Sequence, residues 1–162
     1  MLTVLDIIRR TTEFFQTKGI ETPRLDAELL LSHSLWMKRM ELYLQFERPL
    51  TDAELEKLRA LVRRRGTREP LQHIVGDLEF ANVVLKTDRR ALIPRPETEE
   101  LVEHIASELT APPARIADLG TGSGAIALAL ADRFPEASVT AVEISEDAAA
   151  LARENAARVP AG

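Results

Sequence analysis

The sequence predicts an all-α N-terminal bundle, residues 1–70, followed by an α/β domain of parallel strands, residues 95–162, with a β-hairpin linker at 71–94 between them. Three observations predict this. Up to residue 70, apolar residues recur at spacings of three and four between recognisable helix caps, the period of amphipathic helices. From Leu71 the pattern loosens into alternation, the period of a strand. Further on, three of the seven glycines fall within Gly120–Gly124, between an apolar strand-like run and an alanine-rich helical run. Glycine is costly inside regular structure, so such a cluster marks backbone that turns sharply or meets a ligand closely.

The helical elements follow in order. Leu5, Ile8, Thr12 and Phe15 share one face of a first helix, and Gly19 follows as its stop. Thr22-Pro23 reads as an N-cap with proline at the first helical position, opening a second helix through Leu25, Leu29 and Ser32 to about Trp36. A short helical turn is expected over Met40–Gln45, before Pro49. Thr51-Asp52-Ala53-Glu54 is a capping box, and Leu55, Leu58, Leu61 and Val62 form the apolar stripe after it, up to Gly66. Arg63, Arg64, Arg65 and Arg68 crowd the end of that helix. Cations there can offset the helix macrodipole and solvate the surface, the preferred reading, or they can meet an acidic or phosphate-bearing partner.

Ile74-Val75-Gly76 with Leu78-Glu79-Phe80, a turn at Ala81-Asn82, and Val83-Val84-Leu85 then suggest a hairpin. The stretch Leu92-Ile93-Pro94-Arg95-Pro96-Glu97-Thr98-Glu99 holds an arginine between two prolines, which keep the backbone extended. Arg95 there, beside a helix start rich in acids, can be an ion-paired joint or a functional group. The next helix carries Leu101, Val102, Ile105 and Leu109 on one face and ends by Ala111-Pro112-Pro113.

The α/β part begins with a strand, Arg115–Leu119, then the loop Gly120-Thr121-Gly122-Ser123-Gly124, a helix over Ala125–Arg133 and a second strand, Ser138–Val142, ending on Glu143. A last helix from about Glu146 to Arg158 is capped by Ser145, and the chain stops at Val159-Pro160-Ala161-Gly162. Such a loop gathers backbone N–H groups and a helix N-terminus at one point, which suits a carboxylate or phosphate. Glu143 lies 23 residues beyond Gly120, near the ~20 expected for an acid that accepts ribose hydroxyls in a nucleotide-binding βαβ unit. Gly120-x-Gly122-x-x-Ala125 also fits the dinucleotide fingerprint, so a nicotinamide cofactor stays open. Two features favour S-adenosylmethionine: the third glycine comes one residue early, at Gly124, and Asp118 at the strand end would repel a pyrophosphate yet could hold an ammonium. Asp118-x-Gly120-x-Gly122-x-Gly124 resembles the first motif of class I methyltransferases, whose fold is Rossmann-like.

Composition narrows the partners. Apolar residues make up 45% of the 162, as in ordinary soluble domains. No run nears the ~18 apolar residues of a membrane span, and Met1 to Arg10 lack a signal-peptide core. The chain has no cysteine, which excludes disulfides and thiolate metal sites and fits the cytoplasm. His33, His73 and His104 are scattered, so no metal site is expected. The net charge of −5 is concentrated late: residues 91–162 carry 5 Lys/Arg against 12 Asp/Glu. So acidic a cofactor half argues against tight binding of nucleic acid, and a protein partner is expected instead.

Leu92–Glu99 joined to Asp118–Gly124 resembles the release factor glutamine methyltransferase family, also called PrmC or HemK. The resemblance covers the whole chain. Arg68-Glu69-Pro70-Leu71-Gln72-His73-Ile74-Val75-Gly76 with Glu79-Phe80 is similar to that family's linker, with His73 where tyrosine is usual. Glu143-Ile144-Ser145 matches an aspartate-isoleucine-serine, and Asn155-Ala156 an asparagine-alanine pair. The resemblance implies a helical domain that engages class-1 peptide chain release factors and a class I methyltransferase domain behind it, acting as a monomer. The implied reaction is methyl transfer from S-adenosylmethionine to the side-chain amide nitrogen of the glutamine in a Gly-Gly-Gln motif. It further implies that Gly120, Thr121, Gly122, Ser123 and Gly124 line the cofactor, that Glu143 accepts its ribose hydroxyls, and that Arg95, Pro96, Glu97 and Thr98 border the pocket. The family's Asn-Pro-Pro-Tyr motif, which orients the amide, is not in these 162 residues; no catalytic residue is assigned. The chain is therefore expected to be an inactive fragment, its methyltransferase domain truncated after the second strand. A non-catalytic release-factor-binding module and a nicotinamide oxidoreductase are the alternatives.

Overall fold

Eight helices and four strands run along residues 1–159, the part of the chain that the computed structural model describes. The expected chain end at Pro160–Gly162 lies outside the described residues. The chain divides into two units, Met1–Val75 and Gly76–Gly162.

The first unit is helical: α1 (Val4–Thr17), α2 (Pro23–Leu35), α3 (Arg39–Leu44), α4 (Asp52–Gly66) and α5 (Leu71–Val75). Thr3 opens α1 with a capping box: its hydroxyl accepts from Asp6 N–H at 3.2 Å, and the Asp6 carboxylate accepts from Thr3 N–H at 3.0 Å. The apolar face of α1 is Val4, Ile7, Ile8, Thr11 and Phe15, so the expected face through Leu5 and Thr12 is corrected by about one residue. Both stripes satisfy a 3.6-residue period; the buried one packs on α2, with Leu30 and Leu31 at its centre. Leu25 is half exposed, and α2 buries Asp26, Ala27, Glu28 and Ser32. Thr22 is not a backbone cap as expected; its hydroxyl donates to Asp26 Oδ1 at 2.8 Å. The Thr51–Glu54 capping box forms in α4, with Leu55 and Leu58 buried and Leu61 and Val62 partly so. Fully burying each large aliphatic or aromatic side chain, such as Phe15 or Leu30, contributes about 1.5–3 kcal/mol.

Leu71–Val75, expected as the start of the hairpin, is helical, and its Ile74 joins this core. Pro70 starts the turn: its carbonyl accepts from His73 and Ile74 N–H.

In the second unit β1 (Asp77–Phe80) and β2 (Val83–Lys86) form the antiparallel hairpin, pairing Asp77 with Lys86 and Phe80 with Val83. Its turn holds Ala81 at φ 48°, a left-handed conformation fixed by the Ala81 N–H donating to Glu99 at 2.9 Å. Helix α6 (Pro96–Glu108) follows, then β3 (Arg115–Leu119), α7 (Ala125–Arg133), β4 (Ser138–Val142) and α8 (Glu146–Arg158). β3 and β4 are parallel and in register from Arg115–Ser138 to Leu119–Val142. The core gathers Phe80, Val83 and Leu85 of the hairpin with Val102 of α6 and Ala125, Ala129 and Leu130 of α7. The expected α6 face is narrower than its sequence pattern: Leu101 and Leu109 are exposed. Along β3 only Ile116 and Asp118 are half-buried, so one face of the two-stranded sheet is covered and the other is bare.

Candidate cofactor site

The site is built where β3 and β4 end side by side. Past Leu119 the chain cannot extend the ladder, because Gly120 and Thr121 N–H both donate to the Val142 carbonyl, at 2.8 and 3.0 Å. The loop then turns through Gly120, Gly122 and Gly124, at φ 80°, 59° and 85°. Gly124 caps α7, and a Cβ there would lie 3.3 Å from Leu128 and 3.4 Å from Ala152 of α8. Side chains rarely adopt that φ, and here one would also press on its neighbours. At Gly120 and Gly122 a Cβ would meet nothing within 4 Å. Bare backbone there faces open space, as a ligand's close approach requires.

Thr121 and Ser123 are buried, which leaves Gly120 and Gly122 as the loop positions where an added Cβ would meet open space. The Thr121 hydroxyl donates to Asp118 Oδ2 at 2.7 Å. Ser123 is held through its carbonyl, which accepts from Asn155 Nδ2 at 2.9 Å.

Glu143 crosses the sheet edge. Its Oε2 accepts from Gly122 N–H and its Oε1 from Ser145 N–H, each at 2.9 Å. The N–H groups of Ser145, Gly122 and Ile144 hold this carboxyl below its usual range against a smaller opposing effect of burial. An ionised carboxylate has further lone pairs, so each oxygen can still accept a hydroxyl. Ile144 beside Glu143 is almost wholly exposed.

A cavity of about 350 Å³ opens between α7, β4 and α8. It meets the loop at Thr121, Gly124 and Glu143, and small side chains, Ala127, Ala149 and Ala152, line much of it. Arg95 stands before α6 as its N-cap, Pro96 and Glu97 begin the helix, and these three are exposed while Thr98 is half-buried. None of the four is among the walls of that cavity. The structure thus brings Gly120–Gly124 together with Glu143 and places 95–98 at a separate helix start. It also adds Asn155, fully buried on α8, to which the sequence reading assigned no role. The available signal was the match of Asn155-Ala156 to an asparagine-alanine pair of the resembled family, which named the position without a role.

Three of the four clustered arginines bond to other parts of the chain. Arg64 forms a two-pronged bridge to Glu69 at 2.9 and 2.7 Å, Arg65 pairs with Asp26 at 2.6 Å, and Arg68 donates to the Lys18 carbonyl at 3.2 Å. Arg65 thereby links α4 to α2 and Arg68 ties the turn after α4 to the end of α1, whereas Arg64 closes onto the segment that follows its own helix. Among the described residues no three His, Asp or Glu side chains form a metal cluster, and no helix is long and apolar enough to cross a membrane.

Helical unit, glycine loop and acid at the next strand end define a class: a methyltransferase domain behind a helical domain. Residues 96–160 match the family model of the methyltransferase small domain, and residues 6–76 that of the PrmC N-terminal domain. The chain is 47% identical to the release factor glutamine methyltransferase of Chlorobaculum tepidum over 159 residues, covering 94% of this chain and 54% of that protein. It is 44% identical to that of Rhodopirellula baltica, over 94% of this chain and 53% of the relative. To that of Escherichia coli it is 45% identical, over 87% and 51%. The chain belongs to the release factor glutamine methyltransferase family. It spans about half the length of the curated relatives it matches.

Proposed function

We propose that this chain supplies the methyl-donor cradle and the release-factor-facing helical domain of a protein-(glutamine-N5) methyltransferase working in the cytoplasm on class-1 peptide chain release factors. The relatives' names support the reaction class. The observation that carries the donor reading is the open backbone at Gly120 and Gly122, bonded through Gly122 N–H to the Glu143 carboxylate at the carboxyl edge of two parallel strands.

These residues fit S-adenosylmethionine. That donor, when bound, supplies an electrophilic methyl on a sulfonium. Gly120–Gly124 would hold its methionine and ribose side against main-chain N–H groups, and Glu143 would accept the two ribose hydroxyls through its remaining lone pairs. Asp118 brings a second negative charge to the loop, which favours a cationic donor over a pyrophosphate. An amide nitrogen is a weak nucleophile, so orientation must contribute most of the rate. The part played by this chain is to fix one reactant. Arg95, Pro96 and Glu97, exposed at a helix start, and the half-buried Thr98 would border the bound pair as α6 begins.

Calorimetric titration of the protein with S-adenosylhomocysteine and with NAD tests this. The expected outcome is binding of the first alone; NAD binding in its place would overturn the assignment in favour of an oxidoreductase. In Gly122→Val, a branched side chain at φ 59° would occupy the open space, and nucleoside binding is expected to be lost while hydrogen exchange in α1–α4 stays unchanged. Undiminished affinity in that variant would refute the role of the loop.

A further inference from the structure

We propose that Asn155 is a positioning residue that sets the backbone of the glycine loop by tying it to the second strand of the hairpin; the role rests on the donor-binding reading above. Asn155 is fully buried, and one amide makes three hydrogen bonds. Its Oδ1 accepts from Lys86 N–H at 2.7 Å, and its Nδ2 donates to the Lys86 carbonyl at 3.1 Å and to the Ser123 carbonyl at 2.9 Å. The side chain thus pairs with both backbone groups of Lys86 as a neighbouring strand would, and its other N–H reaches the loop. No other amino acid of this size presents an acceptor and two donors in one plane.

The bond falls at a sensitive place. Ser123 carries the peptide that leads into Gly124, and the N–H of that same peptide donates to the Thr121 carbonyl at 2.9 Å. The Ser123–Gly124 peptide plane is therefore gripped on both sides, next to Gly122, whose N–H meets Glu143. Ala152, one turn before Asn155, supports Gly124 from below. Positions 152 and 155 of α8 form a single bearing surface for the loop, and β2 is its fixed reference.

Other contacts fasten the same elements without touching the loop. Arg158 pairs with Asp77 at 2.7 Å; Glu154 pairs with Lys86 at 2.7 Å and with Arg90 through two bonds of 2.6 and 2.8 Å. The side chains of Glu154 and Asp77 are about half exposed, so water can replace these bonds. It cannot reach Asn155. That difference separates holding α8 in place from setting the loop.

Three variants test the inference: Asn155→Ala, the isosteric Asn155→Asp, which keeps an acceptor for Lys86 and loses both donors, and Glu154→Gln. Amide hydrogen exchange of residues 120–125 and S-adenosylhomocysteine affinity are measured on each. Both Asn155 variants are expected to raise loop exchange and to weaken affinity by about tenfold or more, as loss of buried hydrogen bonds implies, with α6 protected as in the parent. Glu154→Gln is expected to leave both within about twofold, as for an exposed ion pair. Parental loop exchange in a folded Asn155→Asp protein would overturn the inference, and so would equal loosening by Glu154→Gln. Unfolding of both Asn155 variants beside a folded Glu154→Gln would also count against it, showing a structural role only. Should the parent bind no S-adenosylhomocysteine, the donor reading fails, and the exchange result still decides the part of Asn155 in setting the loop.

Discussion

At the scale of single residues, Glu143 is the group on which the proposed donor binding turns. Backbone N–H groups of Ser145, Gly122 and Ile144 depress its pKa, so it stays ionised until the pH falls below the ordinary glutamate range. Its contribution is present above the unfolded-state value and is lost only as pH falls through the lower folded-state value. Nucleoside affinity is accordingly expected to be flat from neutral pH down to about 5 and to decline in stronger acid. Calorimetry across that range checks it: a decline already complete by about pH 5 would show that another group governs binding. Replacing Glu143 by Gln keeps the shape but turns one acceptor atom into a donor facing Gly122 N–H or Ser145 N–H; a loss of about tenfold or more in affinity is expected. The place of Glu143 at a strand end beside the loop was legible in the sequence from the strand, loop, helix and strand order, with the acid 23 positions past Gly120. Asn155 was not. Its partners lie 32 and 69 residues away, and no local pattern announces a bond of that range.

At the scale of elements, local rules read well where capping or glycine chemistry spoke and less well where periodicity stood alone. The capping box of α4, Gly19 after α1 and both strands around the loop follow from residue type. The buried face of α1 and the helical state of Leu71–Val75 are decided by neighbours: a short run such as Ile74-Val75 suits a strand or a helix turn equally. Helix α2 shows the same limit most plainly, because Glu28 sits on its buried face with almost no exposed surface. Burial pushes the Glu28 carboxyl up, but hydrogen bonds from Arg39, Arg24 and Tyr43 outweigh it and hold the pKa below the usual range. An apolar stripe cannot announce such a network. Removing Arg39 alone leaves a buried charge with one cation fewer. Arg39→Met is expected to destabilise the helical unit by about 1–3 kcal/mol, and adding Glu28→Leu to recover part of that loss, as measured by urea denaturation. A double variant no more stable than the single would show that the carboxylate is not the strained partner.

At the scale of the whole molecule, the two units differ in how completely their secondary structure is covered. The helical unit buries Val4, Phe15, Leu30, Leu31 and Leu42 without residual exposure. In the second unit β3 and β4 pair only with each other among the described residues, and Leu119 and Val142 remain exposed on their bare face. Parallel strands are ordinarily covered on both faces. Backbone amides in β3 and β4 are therefore expected to exchange faster than those of α1 and α2, with S-adenosylhomocysteine slowing them as binding stabilises the folded state. Slower exchange in the strands than in α1 without ligand would contradict this account. The antiparallel hairpin and the parallel βαβ order were both legible, since each is set by turn chemistry and by the spacing of strand and helix runs. The Arg65–Asp26 link between α4 and α2 was not legible, because charge runs look alike whether they solvate or bind.

That bare two-stranded sheet has a practical consequence. Among the described residues each strand offers an outer row of N–H and C=O groups that no other strand pairs, beside the exposed side chains of Leu119 and Val142, and such rims invite the same rims on other molecules to pair with them. In concentrated solutions of these 162 residues, clumping would begin there and spare the helices, and a lysine at Thr140, on the same face, would be a mild deterrent.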